Sequence, residues 1–380
     1  MRIVMFYHSL LSDWNHGNAH FLRGVAAELI SRGHRVRVCE PADNWSLANL
    51  LADAGPAAVA AMRAAYPTLK STRYRRGNVV RRAAALVDGA DLVIVHEWND
   101  PELIAALGRL RRGGNFRLLF HDTHHRAASD RDALAQLDLS NYDGVLAFGR
   151  VIRDLYLRRR WTDRAWVWHE AADVRLFHPP RQPPRLLGDL VWIGNWGDDE
   201  RTAELMEFLL GPVQSLGLRA KVYGVRYPSQ ALAALERAGI QYGGYLPNFE
   251  APRVMARYRM TVHIPRRPYA AALPGIPTIR VFEALACGLP LICAPWRDTE
   301  NLFHGREDYL GVADGREMTR AMRLLLSDKA LAAALAAHGR ATILARHTCA
   351  HRVDELLDIY NSLKDSAGRT AGCGLAEVAS

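Results

Sequence analysis

The stretch from Ala272 to Pro295 constrains the fold of this chain more than any other. Pro274, Gly275 and Pro277 keep its entrance out of a helix, and Pro277 suits a first helical turn. A helix is predicted from Thr278 to Cys287, with Ile279, Phe282 and Ala286 recurring at three- and four-residue spacing. Gly288 stops it, and Leu289 to Ala294 is an apolar run short enough for a buried parallel strand. The helix start offers free N–H groups and a positive dipole end, which suits a phosphate. Glu283, about a turn and a half inside, is placed to accept hydrogen bonds from a sugar diol. Taken alone, it reads as a solvated residue on an amphipathic helix, and the rest of the chain argues against that.

The chain upstream alternates strands and helices. Strands are predicted at Arg2–Tyr7, Arg35–Cys39, Asp91–Val95, Phe116–Phe120, Tyr142–Phe148 and Trp166–His169. Helices are predicted at Ala19–Arg32 and Pro101–Arg111, with another ending near Arg158, and residues 46–90 read as helical with an interruption near Pro67. Such alternation implies a doubly wound parallel sheet, whose ligands meet the carboxyl ends of the strands. Three strand ends carry titratable groups: His8 with Asp13 and His16, His96 with Glu97, and His121 with Asp122. The run from His121 to His125 reads as a metal cluster or as a polar cleft wall. The lack of a second ligand set at helical spacing favours the wall. Asp130-Arg-Asp132 falls in a predicted surface helix and is too short to mean much.

Bulk properties narrow the classes further. A chain of 380 residues, 49% apolar, suggests two domains with sizeable cores. Its apolar runs fall short of the roughly eighteen residues of a membrane span. The opening reads as a first strand rather than a signal peptide. Five cysteines without a Cys-x-x-Cys pair argue against a disulfide framework or zinc ribbon, and point to a reducing cytosol. The net charge of +9 comes almost wholly from arginine and permits anionic partners. No nucleic-acid-binding motif accompanies it. Between Lys70 and Arg82 six basic residues flank Tyr74; they read as a solvated face or as an acceptor-side or membrane-surface patch.

Phe282-Glu-Ala-Leu-Ala-Cys-Gly-Leu-Pro290 resembles the nucleotide-sugar motif of GT-B glycosyltransferases, and the longer run from Gly275 is similar to their CgeB-like branch. Ser31-Arg-Gly-His-Arg-Val36 resembles the first unit of their N-domains, and Glu170 to Pro179 the crossover into the second domain. The resemblance implies a GT-B fold of two Rossmann-like domains facing a cleft. Residues 1–173 would hold the acceptor and 174–348 the nucleotide sugar; 349–364 would cross back as a helix, with 365–380 a disordered tail. It implies transfer of a sugar from a nucleotide-activated donor, UDP- or GDP-linked, without cofactor or metal and leaning to retention of configuration. The acceptor would be a glycan, a lipid-linked sugar or a small molecule. The protein would be cytoplasmic, with peripheral membrane contact through Lys70–Arg82.

The implied donor-binding residues are Gly194, Asn195, Arg201, Tyr245, Arg266, Arg267, Gly275, Thr278, Ile279, Arg280 and Glu283. In the family the motif carries two glutamates eight positions apart; Glu283 matches the second, which holds the ribose, and Gly275 stands where the first would touch the hexose. Should transfer invert configuration, His16, His121 and Asp122 are the candidate bases. Two other readings stay open: a nucleotide-sugar epimerase of the same fold, and a non-catalytic nucleotide- or glycan-binding subunit.

Overall fold

The computed structural model describes residues 1–197 and 199–373. Seven strands build its first sheet: β1 (Arg2–Phe6), β2 (Arg35–Pro41), β3 (Ser71–Tyr74), β4 (Leu92–His96), β5 (Arg117–Asp122), β6 (Gly144–Ala147) and β7 (Ala165–Val167). All pairings are parallel, in the order β3-β2-β1-β4-β5-β6-β7. The order reverses direction at the β1/β4 boundary, where the loops after these strands diverge and leave a crevice.

The second half repeats this plan. β8 (Leu190–Ile193), β9 (Ala220–Tyr223) and β10 (Gln241–Tyr242) pair as β10-β9-β8. β11 (Thr261–His263), β12 (Leu291–Cys293) and β13 (Leu310–Gly311) pair as β11-β12-β13. A parallel bridge from Leu190 to Met260 sets the two groups edge to edge, which reproduces the order of the first six N-terminal strands. The motif helix is Ile279–Ala286, within one residue of expectation at each end.

One apolar cluster runs from Ile3 and Phe21 through Trp168 and Phe177 to Phe282, Leu285 and Val353, so the halves share packing. The closing helix, Cys349–Cys373, lies against the helix Ala19–Ser31. Arg32 reaches the carbonyl of Ala350 at 3.1 Å and pairs with Asp354. The chain passes between the halves twice at one place: Ala172 forms a parallel bridge with Thr348. Cys39, Cys287, Cys293 and Cys349 are buried free thiols.

Several elements differ from expectation. Residues 46–90 are a helix Trp45–Ala65 broken at Gly55, then β3, then a helix Arg76–Val87. β3 escapes sequence reading because Tyr74 is its one buried residue and its pairing with β2 is all backbone. After β8 a short helix begins at Thr202, and Asp198 lies outside the described residues. The closing helix runs past its expected end at 364, and positions 374–380 of the expected tail lie outside the described residues.

Candidate active site

Sequence punctuation places the motif helix. Gly275 adopts φ +90°, and a Cβ there would come within 2.7 Å of Glu300 Cγ and Thr299 Oγ1, so a side chain is excluded on two grounds. Thr278 is the N-cap, and the first N–H groups of the helix have no intrahelical acceptor. Glu283 is fully buried on the inner face. Its Oε1 accepts from His20 Nδ1 and from Asn248 Nδ2, each at 2.9 Å, and its Oε2 pairs with Arg280. The amide N–H of Asp173 donates to His20 Nε2 at 2.7 Å, so the ring carries its proton on Nδ1. His20 also stacks on Phe177 at 3.8 Å. Burial pushes against ionisation of Glu283, yet Arg280, His20 and Asn248 outweigh it and hold the carboxyl below its usual range.

A cavity of about 530 Å³ opens in front of this cluster, between the two halves. Its N-terminal wall carries Asp13, His16, Trp45, Trp98, His124 and His125; its C-terminal wall carries Asn195, Arg201, Tyr245, Asn248, Arg266 and Arg280. The loop after β1 is held by Glu40, which accepts from the N–H groups of Leu10 at 2.6 Å and Leu11 at 3.2 Å. Asp13 bridges the walls: it pairs with Arg23 at 2.7 Å and accepts from the Tyr245 hydroxyl. Asn195 makes a second bridge, to Asn15.

Residues 201–358 match the family described as glycosyl transferase-like. Sucrose-phosphate synthase from Thermosynechococcus elongatus superposes with a TM-score of 0.67 at 15% identity, covering 96% of this chain and 100% of its own. HepE from Anabaena, solved with UDP and glucose, gives 0.67 at 14% identity, covering 95% and 100%. An alpha-glucosyltransferase solved with UDP and a 13-mer DNA gives 0.68 at 14% identity, covering 95% and 99%. The chain has the GT-B fold of these glycosyltransferases. Among curated proteins nothing matches it.

Within this fold the expected site residues divide into two groups. His16, Gly194, Asn195, Arg201, Tyr245, Arg266, Thr278, Ile279 and Arg280 line the cavity. Glu283 and Gly275 stand behind that surface. Arg267 faces outward against Asp199, Glu200 and Glu204, because it opens the helix Arg267–Ala272 one residue after Arg266. Arg201, expected among the donor-binding residues, folds back over the Trp192 ring at 5.0 Å and donates to the Ile264 and Asn195 carbonyls. Burial, then Arg266, lowers it to about 10, so it stays cationic near neutrality.

His121 and Asp122 do not reach the cavity. β5 runs to Asp122, two residues beyond its expected end, so both belong to the sheet and point to opposite faces. His121 packs against Trp168, Phe21 and His96. Asp122 accepts from the Tyr156 hydroxyl at 2.9 Å and the His124 N–H at 3.0 Å, and burial followed by Glu97 raises it well above the usual carboxylate range. The cavity is reached instead by Thr123, His124 and His125. Among the described residues, no group of three or more His, Cys, Asp or Glu is placed to hold a metal ion, and no helix is long and apolar enough to cross a membrane.

The N-terminal wall also holds aromatic groups that sequence reading missed. His8 sits between Trp45 and Trp98, at 5.8 and 6.5 Å, and meets His16 at 5.5 Å. Burial, then Arg76, lowers His8 to about 4; burial, then His8 and Arg23, lowers His16 well below the imidazole range. Both rings are neutral near pH 7, and both nitrogens of His16 lack a partner. Trp98 lies over the Arg126 guanidinium at 3.8 Å, which fixes the indole plane. Scattered Trp and His residues carry no periodic signal, and only the loop positions of His8 and His16 marked this wall.

Proposed function

We propose that this glycosyltransferase uses a UDP-activated sugar, binds its diphosphate at Thr278–Arg280, and needs no metal to neutralise it. The carrying observation is the meeting of Arg201, Arg266 and Arg280 with the start of the helix Ile279–Ala286 on one cavity wall. Departure of the diphosphate leaves negative charge on its oxygens, and fixed guanidiniums with a helix dipole stabilise that charge where it forms. The structures of HepE and the alpha-glucosyltransferase with UDP support the choice of base. Asn248 and Arg280 present the nucleotide, with Glu283 holding both from behind as a positioning residue. The acceptor enters from the N-terminal wall at Trp45, Trp98 and His16.

In this reading configuration is retained, and the leaving diphosphate takes the acceptor proton on the same face. The partnerless His16 imidazole favours a second reading, inversion with His16 as base. Proton NMR of the sugar released by slow donor hydrolysis separates them through the anomer first formed. Calorimetric titration with UDP, GDP, ADP and UMP tests the main reading. UDP should bind best without added metal, and equal or absent binding of all four overturns it. The exposed residues Lys70, Arg73, Arg75, Arg81 and Arg82 add a second contact, to an anionic acceptor or membrane surface.

A further inference from the structure

Glu170 is a carboxyl to which nothing above gives a role. It follows β7 on the segment leading out of the N-terminal sheet, and that segment is clamped. Trp168 donates from Nε1 to the Arg352 carbonyl at 2.8 Å, and the Ala172 N–H donates to the His347 carbonyl at 2.9 Å. Glu170 lines the cavity, is 4% exposed, and its Oε1 has no hydrogen-bond partner. The other carboxylates lining the cavity are engaged, Asp13 by Arg23 and Tyr245 and Glu200 by Arg266. The ionisable groups facing Glu170 are Glu283, Arg280 and the Tyr269 hydroxyl.

We propose that Glu170 reads the transferred sugar, its carboxyl hydrogen-bonded to a hydroxyl of the donor's sugar beside the diphosphate site at Thr278–Arg280. The inference rests on the reading that this site takes a nucleotide-activated sugar. An ionised carboxylate here would face both Glu283 and an incoming diphosphate. Burial, then Glu283, pushes Glu170 up to about 8, with Arg280 offsetting part of the rise. Near neutrality the group carries its proton. A protonated carboxyl both donates and accepts, and so matches a sugar hydroxyl, which does the same. A buried carboxyl with an unpaired oxygen costs stability, and a sugar hydroxyl would satisfy it.

The test compares UDP with UDP-glucose, UDP-galactose and UDP-N-acetylglucosamine by calorimetry at pH 7 and pH 9, in the natural protein, Glu170→Gln and Glu170→Ala. At least one sugar nucleotide should bind about tenfold more tightly than UDP, the worth of one buried hydrogen bond. Glu170→Ala should erase that gap and leave UDP affinity in place. Glu170→Gln, which keeps a donor and an acceptor, should preserve it. The gap should shrink from pH 7 to pH 9 in the natural protein and stay level in Glu170→Gln. A gap that survives Glu170→Ala, that is the same at both pH values in the natural protein, or that none of the three sugars shows, overturns the assignment. Failure of UDP itself to bind would remove the underlying reading and this one with it.

Discussion

His20 Nδ1 donates to Glu283 Oε1 at 2.9 Å, joining the first helix to the motif helix across 263 residues of sequence, with both side chains fully buried. Removing the shared acceptor of a buried hydrogen-bonded cluster leaves its donors unsatisfied, typically at about 1–3 kcal/mol each. Glu283→Ala leaves His20, Asn248 and Arg280 without their shared acceptor. It should lower the melting temperature and weaken UDP roughly ten- to a hundredfold, because Arg280 and Asn248 lose their anchor. His20→Ala should lower the melting temperature alone. Equal loss of UDP affinity in both would show that the Glu283 effect comes from a disturbed helix.

Two buried carboxyls should drive stability in opposite directions with pH. Glu283 lies below its usual value, so its stabilisation is present above an unfolded pKa of about 4.3 and is lost as pH falls through its folded value. Glu170 lies above its usual value. Folding therefore takes up a proton there, and stability falls as pH rises from about 4.3 to about 8. Denaturant titrations of Glu170→Gln should show higher stability than the natural protein at pH 8 and little difference at pH 4. No difference at pH 8 would mean that Glu170 is ionised in the folded chain.

His16 and His121 should separate catalysis from packing. His16 faces the cavity with both ring nitrogens partnerless, whereas His121 lies fully buried among Phe21, His96 and Trp168. His16→Ala should lower transfer to acceptor at least tenfold with little change in melting temperature. His121→Ala should do the reverse, lowering the melting temperature with turnover per folded molecule intact. Steady-state rates beside thermal melts decide it, and an inactive, fully stable His121→Ala would restore that residue to the site.

The basic run on β3 and the following helix offers a test independent of the cleft. Arg73, Arg75 and Arg81 are exposed, while Arg76 is tied to Asp43 and Asp100. Replacing Arg73, Arg75 and Arg81 by glutamine should weaken sedimentation with anionic vesicles at low salt and leave UDP affinity unchanged. Vesicle binding equal to that of the natural protein in 20 mM salt would remove the membrane-contact proposal.

Much of the C-terminal wall was legible because its punctuation is local. Pro274, Gly275, Pro277 and Gly288 bracket the motif helix, and each acts through its own backbone. Fully buried strands such as β1 and β4 were legible as apolar runs. β3 was not, since an edge strand with one buried side chain has no pattern to read. The misplacement of His121 has the same root: two further residues of strand decide whether a side chain enters the cleft or the core. Glu283 was singled out from its place in the motif helix, but its burial against His20 involves a partner that no window of sequence contains. Glu170 stood in plain view within the crossover segment, and its meaning came only from the cavity it faces.

Where the chain passes between its halves, the two passages lie side by side: the Ala172 N–H donates to the His347 carbonyl at 2.9 Å and the Cys349 N–H donates to the Ala172 carbonyl at 3.0 Å. Two passages joined by hydrogen bonds at one point resist splaying there but tolerate a shared tilt. A rotation that opened the cleft would turn most easily about this pair, and Glu170, two residues from Ala172, lies beside it. A group on the pivot keeps its position while the walls swing. On the proposed reading, the Glu170 carboxyl would then hold its place beside the sugar while the N-terminal wall moves.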